Sequence, residues 1–251
     1  MVNFWKVVDS VIYEADVILM VVDARMIEQT RNLEIEQKVS AAGKELITVI
    51  NKADLVDKNL LEPYKQKLHP CTFVSAQKFF GMTKLRHLIL RYGKGDQIVV
   101  GVVGYPNTGK SSVINALKGR SSAGVSPKSG FTTGRQEIKV DNKIRIIDTP
   151  GVLAQSDEKT NEILTITASR TEVKDPDIAA YKLIEIHRSK IIDHYNLFDQ
   201  GEDEEAILEQ IAMRLNKKLK GGKPDSLTAA KMLLQEWQKG KIRLREPRPE
   251  R

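Results

Sequence analysis

The stretch IVVGVVGYPNTGKSS, residues 98–112, decides the fold of the sheet-forming part of this chain. Its apolar, β-branched start at residues 98–103 predicts a buried strand, and the residues after Ser112 have a helical pattern. The segment between them reads GxxxxGKS at residues 104–111. In such a loop, backbone N–H groups surround phosphate oxygens at the N-terminus of a helix. The stretch therefore predicts a phosphate-binding loop, which we call the P-loop.

The P-loop lies about a hundred residues into the chain, although such loops usually open their domain. Short apolar runs before and after it predict buried parallel strands, and helical stretches of crossover length separate the first four. Residues 136–140 and 143–148, joined by Asp141-Asn142, predict a hairpin that adds an antiparallel edge. The pattern predicts an α/β sheet with helices on both faces. The strand runs are Val17–Val22, Leu46–Ile50, Cys71–Val74, Ile98–Val103 and Ile144–Ile147.

Helical periods predict the remaining elements. Residues 27–42 predict one helix that ends at Gly43, and residues 178–192 and 204–219 predict two more. A further helix follows Pro224-Asp225-Ser226 and closes at Gly240. The predicted inward residues of the last two helices are Ile207, Leu208, Ile211, Leu215, Leu219, Leu227, Ala230, Leu233 or Leu234, and Trp237.

These patterns predict two domains, because no strand-like run follows residue 165 or so. We expect a sheet domain over residues 1–168 and a small all-α domain over residues 169–251. The hydrophobic content of 41% is sufficient for a packed core. The C-terminal 38 residues from Arg214 contain 12 Lys or Arg and 4 Asp or Glu, a net charge of +8 in a chain of +7. Clustered positive charge favours a polyanionic partner, most often nucleic acid, over a merely solubilising surface.

Composition also bears on location. Cys71 is the only cysteine, which excludes an intramolecular disulfide and suits a reducing compartment. The apolar run Val17–Val22 is too short to span a membrane, and the N-terminal residues have no secretory pattern. We expect a cytoplasmic protein that is monomeric when free and has no membrane partner.

Within the P-loop, each residue type has a chemical reason. Gly104 and Gly109 permit the tight curl, Lys110 reaches the β- and γ-phosphates, and Ser111 ligates Mg²⁺. Asp148 follows the strand IRII in the sequence DTPG, 37 residues after Ser111, where a carboxylate holds Mg²⁺ through water. The backbone N–H of Gly151 would sense the γ-phosphate.

Between these motifs lies SPKSGFTTGRQ, residues 126–136, whose composition predicts a loop. A loop in this position can supply a Thr hydroxyl to the metal when the triphosphate is bound. We predict Thr132 for this role, with Thr133 as the alternative. An ordinary surface loop is the other interpretation.

A base-recognition motif precedes the P-loop. Asn51-Lys52-Ala53-Asp54 follows the run LITVI, and the Asp54 carboxylate can accept both N1–H and N2–H of guanine, which adenine cannot offer. Asn51 and Lys52 would brace the base and the P-loop. Val74-Ser75-Ala76 follows the next strand and could place a backbone N–H at the guanine O6.

Along the chain the base motif comes first, followed by the Ser-Ala segment, the P-loop, the switch Thr and DTPG. In this order, the motifs resemble those of the circularly permuted ribosome-assembly GTPases, the YlqF-like and YawG-type family, including its archaeal members. Val22-Asp23-Ala24-Arg25 matches the family's strand-end VDAR, and residues 220–243 resemble its C-terminal helical region. The resemblance implies a Ras-like GTPase sheet with permuted strand order, followed by a helical domain. The nucleotide site it implies comprises Asn51, Lys52, Asp54, Ser75, Ala76, Gln77, Asn107, Thr108, Gly109, Lys110, Ser111, Ser112 and Gly151.

The resemblance also implies function: GTP hydrolysis to GDP with Mg²⁺, coupled to assembly of the large ribosomal subunit and to contacts with ribosomal RNA. It implies a K⁺ ligand at Asn107, although a loop-bracing role is the alternative. The position after Gly151, where Ras-like enzymes carry a catalytic Gln, is Val152, which cannot orient water. The catalytic group is therefore unassigned, and we expect slow hydrolysis that K⁺ or the ribosomal particle accelerates.

Three other functions compete with this reading. A regulatory switch with a protein effector would need no RNA. An RNA-modification factor would use GTPase switching, but no cysteine-based or methyl-donor site is visible. An ATPase is disfavoured by Asn51-Lys52-x-Asp54.

Overall fold

The computed structural model describes residues 4–119, 136–148 and 175–244. The chain divides into two compact units, residues 1–154 and residues 155–251. Both this division and the predicted boundary at 168/169 fall within residues 149–174, outside the described residues. We call the two units the sheet unit and the helical unit.

The sheet unit alternates strands and helices along the chain. Its strands are β1 (Val17–Asp23), β2 (Glu45–Asn51), β3 (Cys71–Phe73), β4 (Ile98–Val103), β5 (Gln136–Lys139) and β6 (Ile144–Asp148). Its helices are α1 (Phe4–Glu14), α2 (Ile27–Thr30), α3 (Leu33–Ala41), α4 (Lys58–Leu61), α5 (Tyr64–Lys67), α6 (Met82–Tyr92) and α7 (Lys110–Lys118), with a 3₁₀ turn at Ala53–Leu55.

The six strands form one sheet in the order β3-β2-β1-β4-β6-β5. All neighbours are parallel except β5 and β6, which form the predicted antiparallel hairpin. The strand before the P-loop, β4, lies in the middle, between β1 and β6. The predicted mixed α/β sheet is confirmed.

Side chains on the two faces of the sheet explain its burial. All seven residues of β1 are buried, as expected for a central parallel strand covered on both faces. Val17, Leu19 and Val21 belong to the core cluster that also contains residues of α6 and α7. On the opposite face, a Cβ at Gly101 would come within 2.8 Å of Ile18 and within 2.6 Å of Val11 in α1, so α1 packs closely here.

The predicted single helix over residues 27–42 is wrong in one respect, because the chain breaks it into α2 and α3. Arg31 is extended, with ψ 146°, and Asn32 caps α3 by accepting a hydrogen bond from the Ile35 N–H at 3.0 Å. Asparagine is a strong N-cap, so it starts a new helix instead of continuing the old one. As a result Leu33 is 61% exposed, whereas Ile35 and Val39 are buried.

The helical unit contains α8 (Pro176–Tyr195), α9 (Glu204–Arg214) and α10 (Ser226–Gln238). Each of the three packs against the other two, and α8 is kinked at His187. Trp237 is buried and stacks on His187 with a centroid distance of 4.6 Å. The predicted helical character of this part is confirmed, and Ile207, Leu208, Ile211, Ala230, Leu233 and Leu234 are buried as predicted.

Two predicted core positions of this unit are wrong. The structure ends α9 at Arg214 rather than residue 219, because Asn216 turns left-handed with φ 53°. Leu219 then lies in a tight hairpin, where its N–H donates to the Lys223 carbonyl at 2.8 Å, and it is 54% exposed. Leu227 occupies the first turn of α10 and is 50% exposed.

Among the described residues, no helix is both long enough and apolar enough to cross a membrane.

Candidate nucleotide-binding site

The topology of the sheet creates a crevice at the carboxyl ends of β1 and β4. From β1 the strand order proceeds through β2 to β3, and from β4 it proceeds through β6 to β5 in the other direction. Ligands of open α/β sheets bind where the order reverses in this way. The P-loop follows β4, so it opens directly onto this crevice.

Two glycines of the P-loop adopt conformations that other residues would not tolerate. At Gly104, φ is 142° and a Cβ would lie 2.4 Å from the Val21 carbonyl oxygen. At Gly109, φ is 98° and a Cβ would lie 2.2 Å from Nδ2 of Asn51. Asn107 has a left-handed φ of 57° at the exposed tip of the loop. The loop is therefore packed against β1 and against the base motif.

Lys110 begins α7 and is buried, with its ammonium held inside the loop. Its Nζ donates to the carbonyls of Gly104 at 2.8 Å and Tyr105 at 2.9 Å. The Thr108 hydroxyl donates to the same Tyr105 carbonyl at 2.9 Å. These contacts place the positive charge within the curl of backbone that would surround phosphate oxygens.

The base motif contacts the P-loop directly. Asn51 is buried at the end of β2, and its Nδ2 donates to the Thr108 carbonyl at 2.9 Å. Its Oδ1 accepts the Ala76 N–H at 3.2 Å. The Lys52 ammonium donates to the Asn107 carbonyl at 2.7 Å. Residues predicted from three distant parts of the sequence are therefore in contact.

Asp54 lies beside the Ser-Ala segment. Its carboxylate forms an ion pair with Lys78 at 3.1 Å. Burial alone would raise the pKa of the Asp54 carboxyl, but the Ser75 hydroxyl and the Lys78 ammonium outweigh burial and lower the pKa. Asp54 is thus an acceptor at neutral pH, as guanine recognition requires. The Ala76 N–H would have to leave Asn51 in order to reach the guanine O6.

Some of the remaining predicted residues lie in the described part of the chain, and others do not. Ser111 and Ser112 are exposed in the first turn of α7, and Gln77 is exposed after the Ser-Ala segment. Asp148 ends β6, where its backbone pairs with Val102 two residues before the P-loop. The predicted residues Thr132, Gly151 and Val152, and the alternative Thr133, lie outside the described residues.

A second polar group at the crevice was not predicted as part of the site. Asp23, at the end of β1, is buried and accepts hydrogen bonds from Arg25 and from Lys52. The sequence feature that could have indicated Asp23 is a carboxylate at the end of an otherwise apolar strand. Lys78 was also missed, because nothing in its sequence neighbourhood distinguishes it from a surface lysine.

The fold and the contacts described above define a P-loop protein of the GTPase class whose base motif precedes its phosphate loop. The family model described as "RsgA GTPase" matches residues 8–156, more than half of the chain. A second model, described as "50S ribosome-binding GTPase", matches residues 99–217. The chain belongs to the family of circularly permuted GTPases.

Several curated proteins are similar over almost all of this chain. An uncharacterized GTP-binding protein of Methanocaldococcus jannaschii is 42% identical, with 94% of this chain and 65% of the relative covered. Nuclear/nucleolar GTPase 2 of Arabidopsis thaliana is 36% identical, with 98% and 44% covered. GTPase grn1 of Schizosaccharomyces pombe is 33% identical, with 96% and 60% covered. The chain spans between 44% and 65% of the length of these relatives.

Among solved structures, YlqF from T. maritima has the same fold. Its GNP-bound form superposes with a TM-score of 0.64 at 22% identity, covering 96% of this chain and 95% of YlqF. The GDP-bound form gives a TM-score of 0.63, covering 96% and 99%. The predicted permuted strand order is confirmed by this likeness.

Proposed function

We propose that this chain binds GTP and hydrolyses it to GDP and phosphate. The observation that carries the proposal is the position of the Asn51 side chain, which bonds to the P-loop at Thr108 and to the Ser-Ala segment at Ala76. One buried amide thereby ties the phosphate-binding loop to the base-binding loops at the crevice. A phosphate site joined in this way to a guanine-reading carboxylate, Asp54, suits a guanine nucleotide.

The donor set also suits Mg²⁺. Ser111 has an exposed hydroxyl in the first turn of α7. Asp148 is the last residue of β6, the strand that pairs with β4. Hydroxyl and carboxylate oxygens are the ligands that Mg²⁺ takes beside substrate phosphates. The ion would neutralise charge on the phosphate oxygens, while Lys110 and the loop amides hold them in place. Thr132 remains our candidate for a further ligand, and Asn107 for a K⁺ ligand.

Guanine selectivity is the first test. Asp54→Asn removes the acceptor for N1–H and N2–H, so GDP affinity should fall about 10- to 100-fold, as for loss of hydrogen bonds to a charged group. ADP binding should not change. Asp96→Asn, at an exposed loop aspartate of the same unit, is the control and should bind GDP like the unaltered chain. Equal GDP affinity in the Asp54 variant would contradict the base assignment.

Hydrolysis should be slow in the isolated protein, because Val152 replaces the usual water-orienting Gln. A group supplied in trans can raise such a rate about 10³- to 10⁵-fold. We propose K⁺ and the large ribosomal particle as the activators. Phosphate release measured in K⁺ and in Na⁺ buffers, with and without large subunits, tests each of them separately.

We further propose that the helical unit binds ribosomal RNA during assembly of the large subunit in the cytoplasm. Four lysines lie on the hairpin between α9 and α10, which is closed by the bridge between Lys218 and Pro224. Three of these lysines are exposed, and repeated exposed ammonium groups suit contact with a phosphate backbone. The four are Lys217, Lys218, Lys220 and Lys223.

Cosedimentation with large ribosomal subunits tests the RNA role. Binding with a non-hydrolysable GTP analogue but not with GDP is expected. Replacing Lys218 and Lys220 by Gln should weaken this binding and reduce its salt dependence. Replacing Lys182 and Lys190, which already face carboxylates of α8 at 2.9 and 3.9 Å, is the control for lost charge.

The alternative is a switch that binds a protein effector and has no RNA role. Its association would be insensitive to salt and to the hairpin lysines. Absence of nucleotide-dependent binding to either subunit would favour this alternative over the ribosomal function.

A further inference from the structure

Asp23 and Arg25 form a buried ion pair that contacts the base motif at Lys52, and neither of the two is among the nucleotide-binding residues named above. Asp23 is the last residue of β1, and the side chains of Asp23 and Arg25 are 6% and 0% exposed. The Arg25 guanidinium donates from Nε to Oδ1 at 3.0 Å and from its terminal nitrogen to Oδ2 at 2.8 Å. The Arg25 backbone N–H also donates to Oδ1 at 3.0 Å. This bidentate contact fixes the plane of the carboxylate.

The third partner of Asp23 is Lys52 of the base motif. Its ammonium donates to Asp23 Oδ2 at 2.8 Å and to the Asn107 carbonyl of the P-loop at 2.7 Å. Lys52 itself has a left-handed φ of 60°, an uncommon conformation for a lysine. The Lys52 ammonium therefore connects the end of β1 to the P-loop, and the Lys52 backbone is held in a left-handed conformation.

A backbone contact reinforces this arrangement. The Ala24 N–H, between Asp23 and Arg25, donates to the Asn51 carbonyl at 2.8 Å, so the segment after β1 is fastened to the residue before Lys52. Lysine has a long, flexible side chain that loses entropy when it is held in one place. A carboxylate that is already fixed by Arg25 directs that side chain to a single position.

We propose that Asp23, fixed by Arg25, is a positioning residue for nucleotide binding. It holds the Lys52 ammonium against the Asn107 carbonyl and so sets the turn of the P-loop before the nucleotide arrives. Asp23 acts through Lys52 and does not touch the nucleotide. This role rests on the proposed binding of guanine nucleotides.

A double-mutant cycle on GDP affinity tests the role, because residues that act through one another give non-additive effects. Asp23→Asn should raise the Kd for GDP about tenfold in the otherwise unaltered chain. In a Lys52→Met background the same substitution should change the Kd less than about twofold. The preference for GDP over IDP, which depends on Asp54, should be the same in the Asp23 variant and the unaltered chain.

Arg25→Lys is the second variant, because it keeps the positive charge but loses the bidentate contact of the guanidinium with the Asp23 carboxylate. It remains informative if Asp23→Asn does not fold. It should raise the Kd severalfold, again only where Lys52 is present. Glu36→Gln is the matched control: Glu36 accepts two hydrogen bonds from Arg31 at 2.8 Å in the same unit, and neither residue is among the predicted nucleotide-binding residues. It should leave the Kd unchanged.

Two results would overturn the role of Asp23. One is an equal loss of affinity with and without Lys52; the other is an unchanged Kd in folded Asp23 and Arg25 variants. Failure of the unaltered chain to prefer GDP over ADP would instead overturn the proposed nucleotide binding, and the positioning role with it.

Discussion

Two carboxylates, one in each unit, collect several donors but differ in burial. Asp23 of the sheet unit is bonded to Arg25 and Lys52, and its side chain is 6% exposed. Glu236 of the helical unit contacts the His194 ring at 3.0 Å, the Tyr195 hydroxyl at 2.9 Å and the Lys241 ammonium at 3.1 Å, and its side chain is 18% exposed. Water can replace lost partners around Glu236 more readily than around Asp23. The contacts of Asp23 should therefore contribute more to the free energy of unfolding than the similar contacts of Glu236.

The largest effect is expected from Asp23→Asn, because it replaces the buried carboxylate that Arg25 and Lys52 both bond to by a neutral amide. Breaking a buried pair in this way costs about 3–5 kcal/mol of unfolding free energy. Urea-dependent hydrogen exchange of peptides from β1 and from α10 separates the two units. The loss should appear in β1, with α10 unchanged, and a loss below about 1 kcal/mol would show that water reaches the Asp23 site.

A comparison of two left-handed glycines extends the contrast to the backbone. At Gly221 of the lysine hairpin, φ is 87° and a Cβ would meet nothing within 4 Å, whereas at Gly109 it would clash with Asn51. Gly221→Ala should cost about 1 kcal/mol for backbone strain alone. Gly109→Ala should cost about 1–3 kcal/mol more, as overpacking does, and weaken GDP binding. Equal costs in thermal unfolding would contradict the tight packing of the P-loop.

Acid should affect the sheet unit through Asp23. Burial alone would raise the pKa of Asp23, but Arg25 and Lys52 outweigh it and hold the pKa well below its usual range. A lowered folded-state pKa stabilises the fold above the unfolded pKa of about 3.9, and this contribution is lost as pH falls below that value. The stability difference between the unaltered chain and Asp23→Asn should therefore be constant from pH 7 to about 5 and shrink below about pH 4. Unfolding curves at successive pH values measure this difference.

The smallest effect is expected from Glu236→Gln. The amide keeps one acceptor oxygen, and solvent can reach the site, so the loss should be about 1 kcal/mol or less. Thermal unfolding followed at α10 measures it. A loss as large as that of Asp23→Asn would mean that exposure does not govern the difference between the two carboxylates.

The sequence predicted the sheet well because its strands are continuous apolar runs that end in residues with specific chemistry. Asn51, Asp54 and Lys110 could be assigned because parallel strands bring their carboxyl ends to one edge, whatever the order of the motifs. The Asp23–Arg25–Lys52 group could not be derived in the same way. Its partners are fixed by the αL backbone at Lys52 and by the depth of β1, neither of which has a local sequence pattern.

In the helical unit, periodicity gave the helices but not their ends. Leu219 fits the apolar stripe of α9, yet the left-handed turn at Asn216 removes it from the helix. Likewise, Asn32 reads as one polar position within a long helix, although its side chain starts α3. Capping by a single residue outweighs a periodic pattern of several, because it satisfies backbone N–H groups that would otherwise be unpaired.

The position of β4 in the sheet has a consequence for synthesis. Because β1 pairs with both β2 and β4, the three strands β1, β2 and β3 can associate before the P-loop strand has been translated. At about 5–20 residues per second, β4 follows β3 from the ribosome by roughly one to five seconds. During that interval β4 has not been made, so the edge of β1 that pairs with it has no partner strand. Translation therefore delivers the base-reading half of the pocket before the phosphate-binding half.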